Sequence, residues 1–467
     1  MKLRILIAEI IIFALMATNG NAQHSLSETR EARNDFHFGY GYGIPQALYT
    51  KRMADLGTSG IKFSGHIVLW DRVEKRPPKE EKHFYDWRFI DNIVKSFQNT
   101  PEDLFFVIKG ASRWAGQSND RKSKSWPPDD KYLNDYGRFV LHLVERYDGD
   151  GTDDMPGLRN PIKIWGIESE VHHSYQWGGS KEQYLDVLKT AYKNVKAADP
   201  STLVVLAGIN TGECLNADGV INQERPECRH PFSQKEISFI KDMLGACDSY
   251  DVIDFHANHG WEGIADTVNF IKNTLRENSC SDKPIWAGDM LNVSLIEHAY
   301  SRKEAKSIFD RLDSGDSKAM EWFRKKQQTD TAKKVISALG QGVQRIFLEI
   351  VTDHKKSNFP TWKHMGMLDD DATPRPVYTT YQLIVDKLSG FTQAEKISSA
   401  QGKYIYKFIV GAKPVYVMWG KGLIETRIEG EVTVTDIDGK AKKINAENLV
   451  LSEEPIFIES HESPRDM

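Results

Sequence analysis

Two apolar runs in the sequence finish on carboxylates. KPIWAGDM (283–290) reads as a short buried strand ending at Asp289, and WGIESEVHH (165–173) ends its apolar part at Glu168 and Glu170. A carboxylate at the tip of an apolar strand must be solvated, paired or put to use. If two such tips face each other, the pair suits glycosidic cleavage: one acid protonates the leaving oxygen while the other attacks the anomeric carbon or activates water. A third acid, Glu349 in RIFLEIVTD (345–353), is the reserve partner for Glu170. Each acid also has a plainer reading. Glu170 would then be a solvated loop acid, Asp289 a structural cap and Glu349 a buried, paired group. Glu168 would be rim-exposed, or a neighbour that raises the Glu170 pKa by like-charge repulsion.

His66, His172, His173, His256 and His259 also fall at or near strand ends. Metal-dependent barrel hydrolases typically open with H-x-H on their first strand, whereas FHFGYG (36–41) holds His37 alone. Polar contacts to sugar are therefore favoured over zinc ligation. A calcium ion on the run Asp369 to Asp371 is less favoured than a solvated turn. No cofactor is implied, because acid chemistry suffices for a glycosidic bond. Trp70, Trp114, Trp177, Trp261, Trp286 and Trp362 lie near the same strand ends. Aromatic faces complement the apolar C–H faces of sugar rings. Trp177 and Trp261, beside glycines, are the better platforms, and Trp286 reads as core.

The elements that must position these residues are eight short apolar runs: 36–41, 60–67, 104–110, 162–168, 203–209, 251–257, 284–290 and 345–351. Amphipathic stretches such as YLNDYGRFVLHLVERY and KEQYLDVLKTAYKNVKAADP separate them. Strand alternating with helix eight times requires parallel pairing, and the length fits a (β/α)8 TIM barrel, an α/β fold. A doubly wound open sheet competes, but no GxGxxG follows the first strand. Beyond residue 388 the pattern alternates as in a β-sandwich, with Asp-Gly at a turn. The expected organisation is a signal peptide over 1–22, a barrel over 23–388 and a β-sandwich over 389–467. Residues 210–233 read as a polar, cysteine-bearing loop and 291–328 as a long, partly helical, heavily charged insertion, both on the face where barrel enzymes place their sites.

Residues 1–22 carry Lys2 and Arg4, an apolar run interrupted by Glu9, and small residues ending at Ala22. That layout predicts a secretory signal peptide, a secreted or periplasmic protein and no membrane anchor after cleavage. The four cysteines, Cys214, Cys228, Cys247 and Cys280, permit two disulfides in any of three pairings; no CxxC spacing supports zinc. A net charge of −5 on 467 residues offers no basic field for nucleic acid.

These segments together resemble clan A glycoside hydrolases, nearest the β-xylosidase and α-L-iduronidase family (family 39). WGIESEV is similar to that clan's W-x-I-x-N-E-P, which places Glu170 as the acid/base. KPIWAGD is similar to KPIWxTE, which places Asp289 as the nucleophile. GIKFSGHIVLWDRVEKRP, SRWAG and MGMLDDDATPRPVYTTYQL match further stretches, so the resemblance covers about residues 36–388. It implies an O-glycosyl hydrolase acting on an oligo- or polysaccharide, with retention at the anomeric carbon. The alternative is a glycan-binding barrel with a degenerate site. Four positions depart from the pattern: Asp289 replaces glutamate, and Ser169 replaces the asparagine that binds the sugar 2-hydroxyl. Gly65, beside His66, replaces the arginine that supports the nucleophile, and Asn258 replaces the tyrosine of H-x-Y. The expected substrate contacts are therefore His66, Trp114, Ser169, His172, Trp177, His256, Asn258, His259, Trp261 and Glu349, and no metal is expected.

Overall fold

The computed structural model describes residues 37–43, 47–116, 124–222, 228, 233–280, 283–398, 402–423 and 428–460. The signal-peptide expectation lies outside these residues, as does part of the loop at 210–233. Eight strands form one parallel sheet: β1 (Phe38–Tyr42), β2 (Gly60–Phe63), β3 (Asp103–Lys109), β4 (Ile164–Ile167), β5 (Leu203–Val205), β6 (Ile253–Ala257), β7 (Ile285–Leu291) and β8 (Arg345–Glu349). β1 pairs with both β2 and β8, and bridges at Val205–Val252 and Ile209–Phe255 join β5 to β6. The sheet thus closes into the expected (β/α)8 barrel. A two-residue strand, Val68–Leu69, adds to β3.

The strands are brief because their faces divide the work. Phe105 of β3 touches Trp286 of β7 and Phe347 of β8 edge-on, at 6.3 and 5.6 Å between ring centroids. β3 and β7 are not neighbours, so these rings meet across the barrel interior and fill its floor. Alternate residues such as Phe106 and Trp165 face outward into the main core under the helices.

Helices α1 (Ala47–Ala54), α2 (Arg88–Lys95), α3 (Leu133–Glu145), α4 (Lys181–Ala198), α5 (Gln234–Gly245) and α6 (Ile264–Glu277) follow β1 to β6. α4 starts at a reciprocal capping box between Ser180 and Gln183, and α5 at one between Ser233 and Glu236. After β7 come a short turn at Ile296–Ala299, α7 (Arg302–Asp313) and the 24-residue α8 (Ser317–Gly340). Residues 317–328, expected within a partly helical insertion, are the first half of α8. α8 is exposed over its first turns, at Ser317, Lys318, Glu321 and Trp322, and is buried continuously from Asp330 to Leu339. Gln327 bonds Asn292 at 2.9 Å, Gln328 bonds Asp438 at 2.8 Å, and Lys334 donates to the Leu291 carbonyl at 3.0 Å. α9 (Pro376–Leu388) closes the barrel, with Pro376 preset for the first helical position.

A separate antiparallel sheet follows: β9 (Phe391–Ser398), β10 (Tyr404–Val410), β11 (Lys413–Trp419), β12 (Glu431–Asp436), β13 (Ala441–Asn445) and β14 (Ile456–Ser460), in spatial order 9-10-11-14-12-13. One face, with Tyr406, Phe408, Val417 and Trp419, joins the barrel core. The other, with Ile405, Met418, Val432 and Ile458, is covered by a ribbon pairing Gly422–Leu423 with Val450–Leu451. This is the expected β-sandwich, built against the barrel. The four cysteines pair as Cys214–Cys228 and Cys247–Cys280, which fixes one of the three pairings and rules out zinc on free thiolates. Among the described residues no helix is long and apolar enough to cross a membrane.

Candidate active site

The carboxyl ends of the strands open on a cavity of about 910 Å³. Just past β4 the chain takes a left-handed conformation at Glu168 (φ 63°) and again at Glu170 (φ 47°), which sends the two acids apart. Glu168 turns away and accepts the Gly110 N–H at 2.7 Å, stitching β4 to β3, and its burial pushes its pKa up. Glu170 turns into the cavity, where it accepts from Asn210 Nδ2 at 2.9 Å and meets His256 Nδ1 at 2.7 Å.

Asp289 sits at a register shift between β7 and β8, a local irregularity of the kind that re-aims side chains. Its Oδ1 accepts from Lys62 Nζ at 2.7 Å, and its Oδ2 lies 3.4 Å from His256 Nε2. One imidazole therefore spans Glu170 and Asp289. Since its two nitrogens are about 2.2 Å apart, the facing oxygens are at most about 8 Å apart. His256 fits because Gly208 has no side chain: a Cβ there would lie 1.8 Å from Nε2. Lys62 also bonds Asp254 at 3.1 Å, and Asp254 in turn accepts the Gly288 N–H at 2.6 Å.

The charges of this cluster set its proton distribution. Burial would raise the Glu170 pKa, but the hydrogen bond and charge of His256, with His173 and His172 behind it, hold the carboxyl far below its usual range. Burial likewise opposes ionised Asp289; His256 and Lys62 outweigh it and keep that pKa low. For His256 and Lys62 the balance is reversed: burial lowers, and the surrounding acids raise both well above their ordinary values. Glu349 is the exception. Its burial, the Asp289 charge and a hydrogen bond to Asp289 all push its pKa well up, so Glu349 retains a proton. A Cβ on Gly41 would lie 2.5 Å from its Cγ, so that glycine makes its room.

Of the residues expected from sequence, His66, Ser169, Glu170, His256, Asn258, His259, Asp289 and Glu349 line this one cavity. Asn258 Oδ1 is buried with no hydrogen-bond partner among the described residues. His259 Nε2 meets His298 Nδ1 at 2.8 Å. The other four expected contacts pack elsewhere. His172 bonds the Asn210 carbonyl at 2.8 Å and so supports the residue that holds Glu170. Trp114 donates to the Glu74 carbonyl at 2.7 Å and packs on Trp70. Trp177 is 3 % exposed, donates to the Ser180 carbonyl and packs on Tyr184. Trp261 packs edge-on against the stacked pair Tyr404 and Trp419 of the C-terminal sheet. The aromatic lip is made instead by Trp362, Phe359 and Tyr175. In the run 369–371, Asp369 pairs with Arg375, Asp370 pairs with Lys355, and Asp371 accepts the Thr373 N–H, which makes it a paired turn.

Lys62 and Asp254 were missed from sequence. Their signal is a charged residue inside an apolar barrel strand, GIKF in β2 and IDFHA in β6. The cation that supports Asp289 thus comes from Lys62, three residues before the aligned Gly65.

Fold and site together define a (β/α)8 barrel whose rim acids, from the ends of β4, β7 and β8, converge on one pocket. No family model and no curated protein sequence matches the chain. Solved structures do. A family 39 glycoside hydrolase from the gut symbiont Bacteroides cellulosilyticus WH2 is similar at a TM-score of 0.62 and 14 % identity, over 91 % of this chain and 81 % of that one. A glucosidase from Croceicoccus marinus gives 0.58 and 12 %, over 92 % and 97 %. A GH39 β-xylosidase from Caulobacter crescentus gives 0.57 and 12 %, over 91 % and 96 %. At such identities the likeness establishes the shared fold.

Proposed function

We propose that this protein is a glycoside hydrolase that cleaves O-glycosidic bonds of an oligo- or polysaccharide, with Glu170 as acid/base and Asp289 as nucleophile. The observation that carries this reading is the single imidazole of His256 joining the two carboxylates in one open cavity. Asp289, kept ionised by Lys62 and His256, is ready to attack an anomeric carbon. Glu349, protonated and bonded to Asp289, steadies that carboxylate. Glu170 holds no proton of its own, so its acid role draws on His256. As Asp289 forms the glycosyl bond its negative charge disappears, the imidazolium loses one of the anions that stabilise it, and its proton moves toward Glu170 Oε1. Glu170 passes that same proton to the leaving oxygen as the glycosidic bond breaks; in the second step it takes a proton from the water that attacks the glycosyl bond to Asp289 and returns it to His256. Asn258 Oδ1 is free to accept from a sugar hydroxyl. The resemblance to retaining enzymes favours retention, and the first-formed anomer seen by proton NMR tests it.

Two disulfides persist in oxidising surroundings, which supports a location outside the cytoplasm. Carbohydrate is the proposed partner; nucleic acid is not.

The ionised state of Glu170 favours one second reading, a glycan-binding barrel that does not cut. Glu170→Gln and Asp289→Asn separate the two. For an enzyme, each variant loses on the order of 10³-fold or more in kcat while keeping its melting temperature. Oligosaccharide bound tightly yet left intact by the wild type at every pH selects the second reading.

A further inference from the structure

Lys109, the last residue of β3, lines the cavity at 8 % exposure. Among the described residues its ammonium makes no hydrogen bond or ion pair, unlike the other buried lysines. Lys62 is held by Asp254 and Asp289, Lys334 by the carbonyls of Leu291 and Ala257, and Lys333 by Glu453 and the face of Trp261. A largely buried cation held by no direct ion pair, with only the longer-range attraction of Glu168, is costly, and an anion delivered to it would reduce that cost.

The acid behind Lys109 is Glu168. It lies beyond ion-pair distance and is bonded to Gly110 N–H; burial raises its pKa, and the Lys109 charge offsets that only in part. The adjoining wall adds positive charge and donors. His66 lines it, and the Arg72 guanidinium sits behind, bonded to the carbonyls of His66 and Ile67 at 2.7 and 2.9 Å. Burial, Lys109 and Arg72 together keep the His66 imidazole neutral. Ser64 and Ser169 add hydroxyls, and Gly65 leaves space for the lysine stem, since a Cβ there would lie 2.8 Å from Lys109 Cε. At the pocket centre, by contrast, Lys62 and His256 are balanced by Asp254, Asp289 and Glu170.

We infer that the wall between the ends of β2 and β3 is a subsite for an anionic substituent of the bound glycan, a carboxylate or a sulfate, recognised by Lys109. The inference rests on the glycan-binding part of the reading above, and it sets the substrate class as an acidic glycan. Ser169 borders both this wall and Glu170, so the charge would be carried on a sugar unit adjoining the scissile bond.

Matched probes test it. Calorimetry at 4 °C uses chondroitin sulfate tetrasaccharide, its desulfated form and its carboxyl-reduced form. Tetragalacturonate, its methyl ester and xylotetraose extend the series. Each is titrated into the wild type, Lys109→Gln and Lys109→Arg, and each mixture is then analysed for cleavage. The expected result is that an anionic probe binds about tenfold or more tightly than its neutralised counterpart. That preference disappears in Lys109→Gln and persists in Lys109→Arg, while the Lys109→Gln melting temperature stays level or rises. Loss of preference on desulfation identifies sulfate, and loss on reduction or esterification identifies carboxylate. No preferential binding of any anionic probe, or a preference that survives Lys109→Gln, overturns the inference. Charge-dependent binding without cleavage would reject hydrolysis and leave the subsite standing; cleavage without charge preference would do the reverse.

Discussion

Lys62→Met is the sharpest perturbation of the site. Lys62 is 6 % exposed and holds two acids at once, Asp254 (4 % exposed) at 3.1 Å and Asp289 (25 % exposed) at 2.7 Å. Removing one partner of a buried ion pair costs about 3–5 kcal/mol, because the remaining charge is left uncompensated. Two features reduce the cost here: Asp289 faces the cavity and can rehydrate, and Asp254 keeps the Gly288 N–H. About 3 kcal/mol is therefore expected, within reach of a protein of ordinary stability. Urea unfolding reads it as a lower midpoint at unchanged slope. Adding Asp254→Asn removes one stranded charge and returns more than about 1 kcal/mol, a coupling that independent sites would not show. The same change takes away a cation that lowers the Asp289 pKa, so the acid limb of kcat/KM moves to higher pH. An unshifted midpoint together with an unshifted acid limb would refute the assignment of Lys62 as the support of Asp289.

The remaining expectations concern the imidazole, pH and the disulfides. His256→Asn removes the group that bridges both acids; kcat/KM falls roughly 10²–10⁴-fold, and the Glu170 carboxyl returns toward its ordinary titration range in carbon-13 NMR. Glu170 and Asp289 titrate below that range, so the stability they add is present above about pH 4 and is lost as pH falls through their folded values. His256 and Glu349 are shifted up, so what they add is complete below about pH 6.5 and about pH 4.3 respectively, and is lost as pH rises through their folded values. Melting temperatures across pH 3–10 should pass through a maximum, and a profile that stays flat to pH 3 contradicts the charge assignment. Replacing Cys247 and Cys280 by serine opens a crosslink between residues 33 apart at the ends of α5 and α6. It should cost about 2–5 kcal/mol and leave kcat/KM unchanged, because those helix ends lie opposite the cavity.

The barrel was legible because each of its strands is an apolar run bounded by amphipathic helix, and short runs of that kind admit few arrangements. Glu170, Asp289 and Glu349 were legible for the same reason: an acid that ends such a run is conspicuous. Lys62 and Asp254 lie inside their strands, where pattern alone does not say which alternate residue faces the barrel axis. The tryptophans misled in the opposite way. A glycine beside Trp177 or Trp261 suggested an exposed loop, but both rings find partners distant in sequence, and no local spacing reveals such a partner. The expected partly helical insertion ended at 328, whereas α8 runs on to Gly340; that second half is covered on every side and has no polar face to reveal its period.

The setting of Trp261 constrains any redesign of this molecule. The ring stands just after the stretch that bears Asn258 and His259, and it packs edge-on against Tyr404 and Trp419, with Lys333 over its face. The small sheet is thus a brace rather than a passenger. Grafting the sheet of another barrel in its place, even with every junction residue kept, would unseat that indole and let one lip of the pocket drift, so pocket and brace have to be exchanged together.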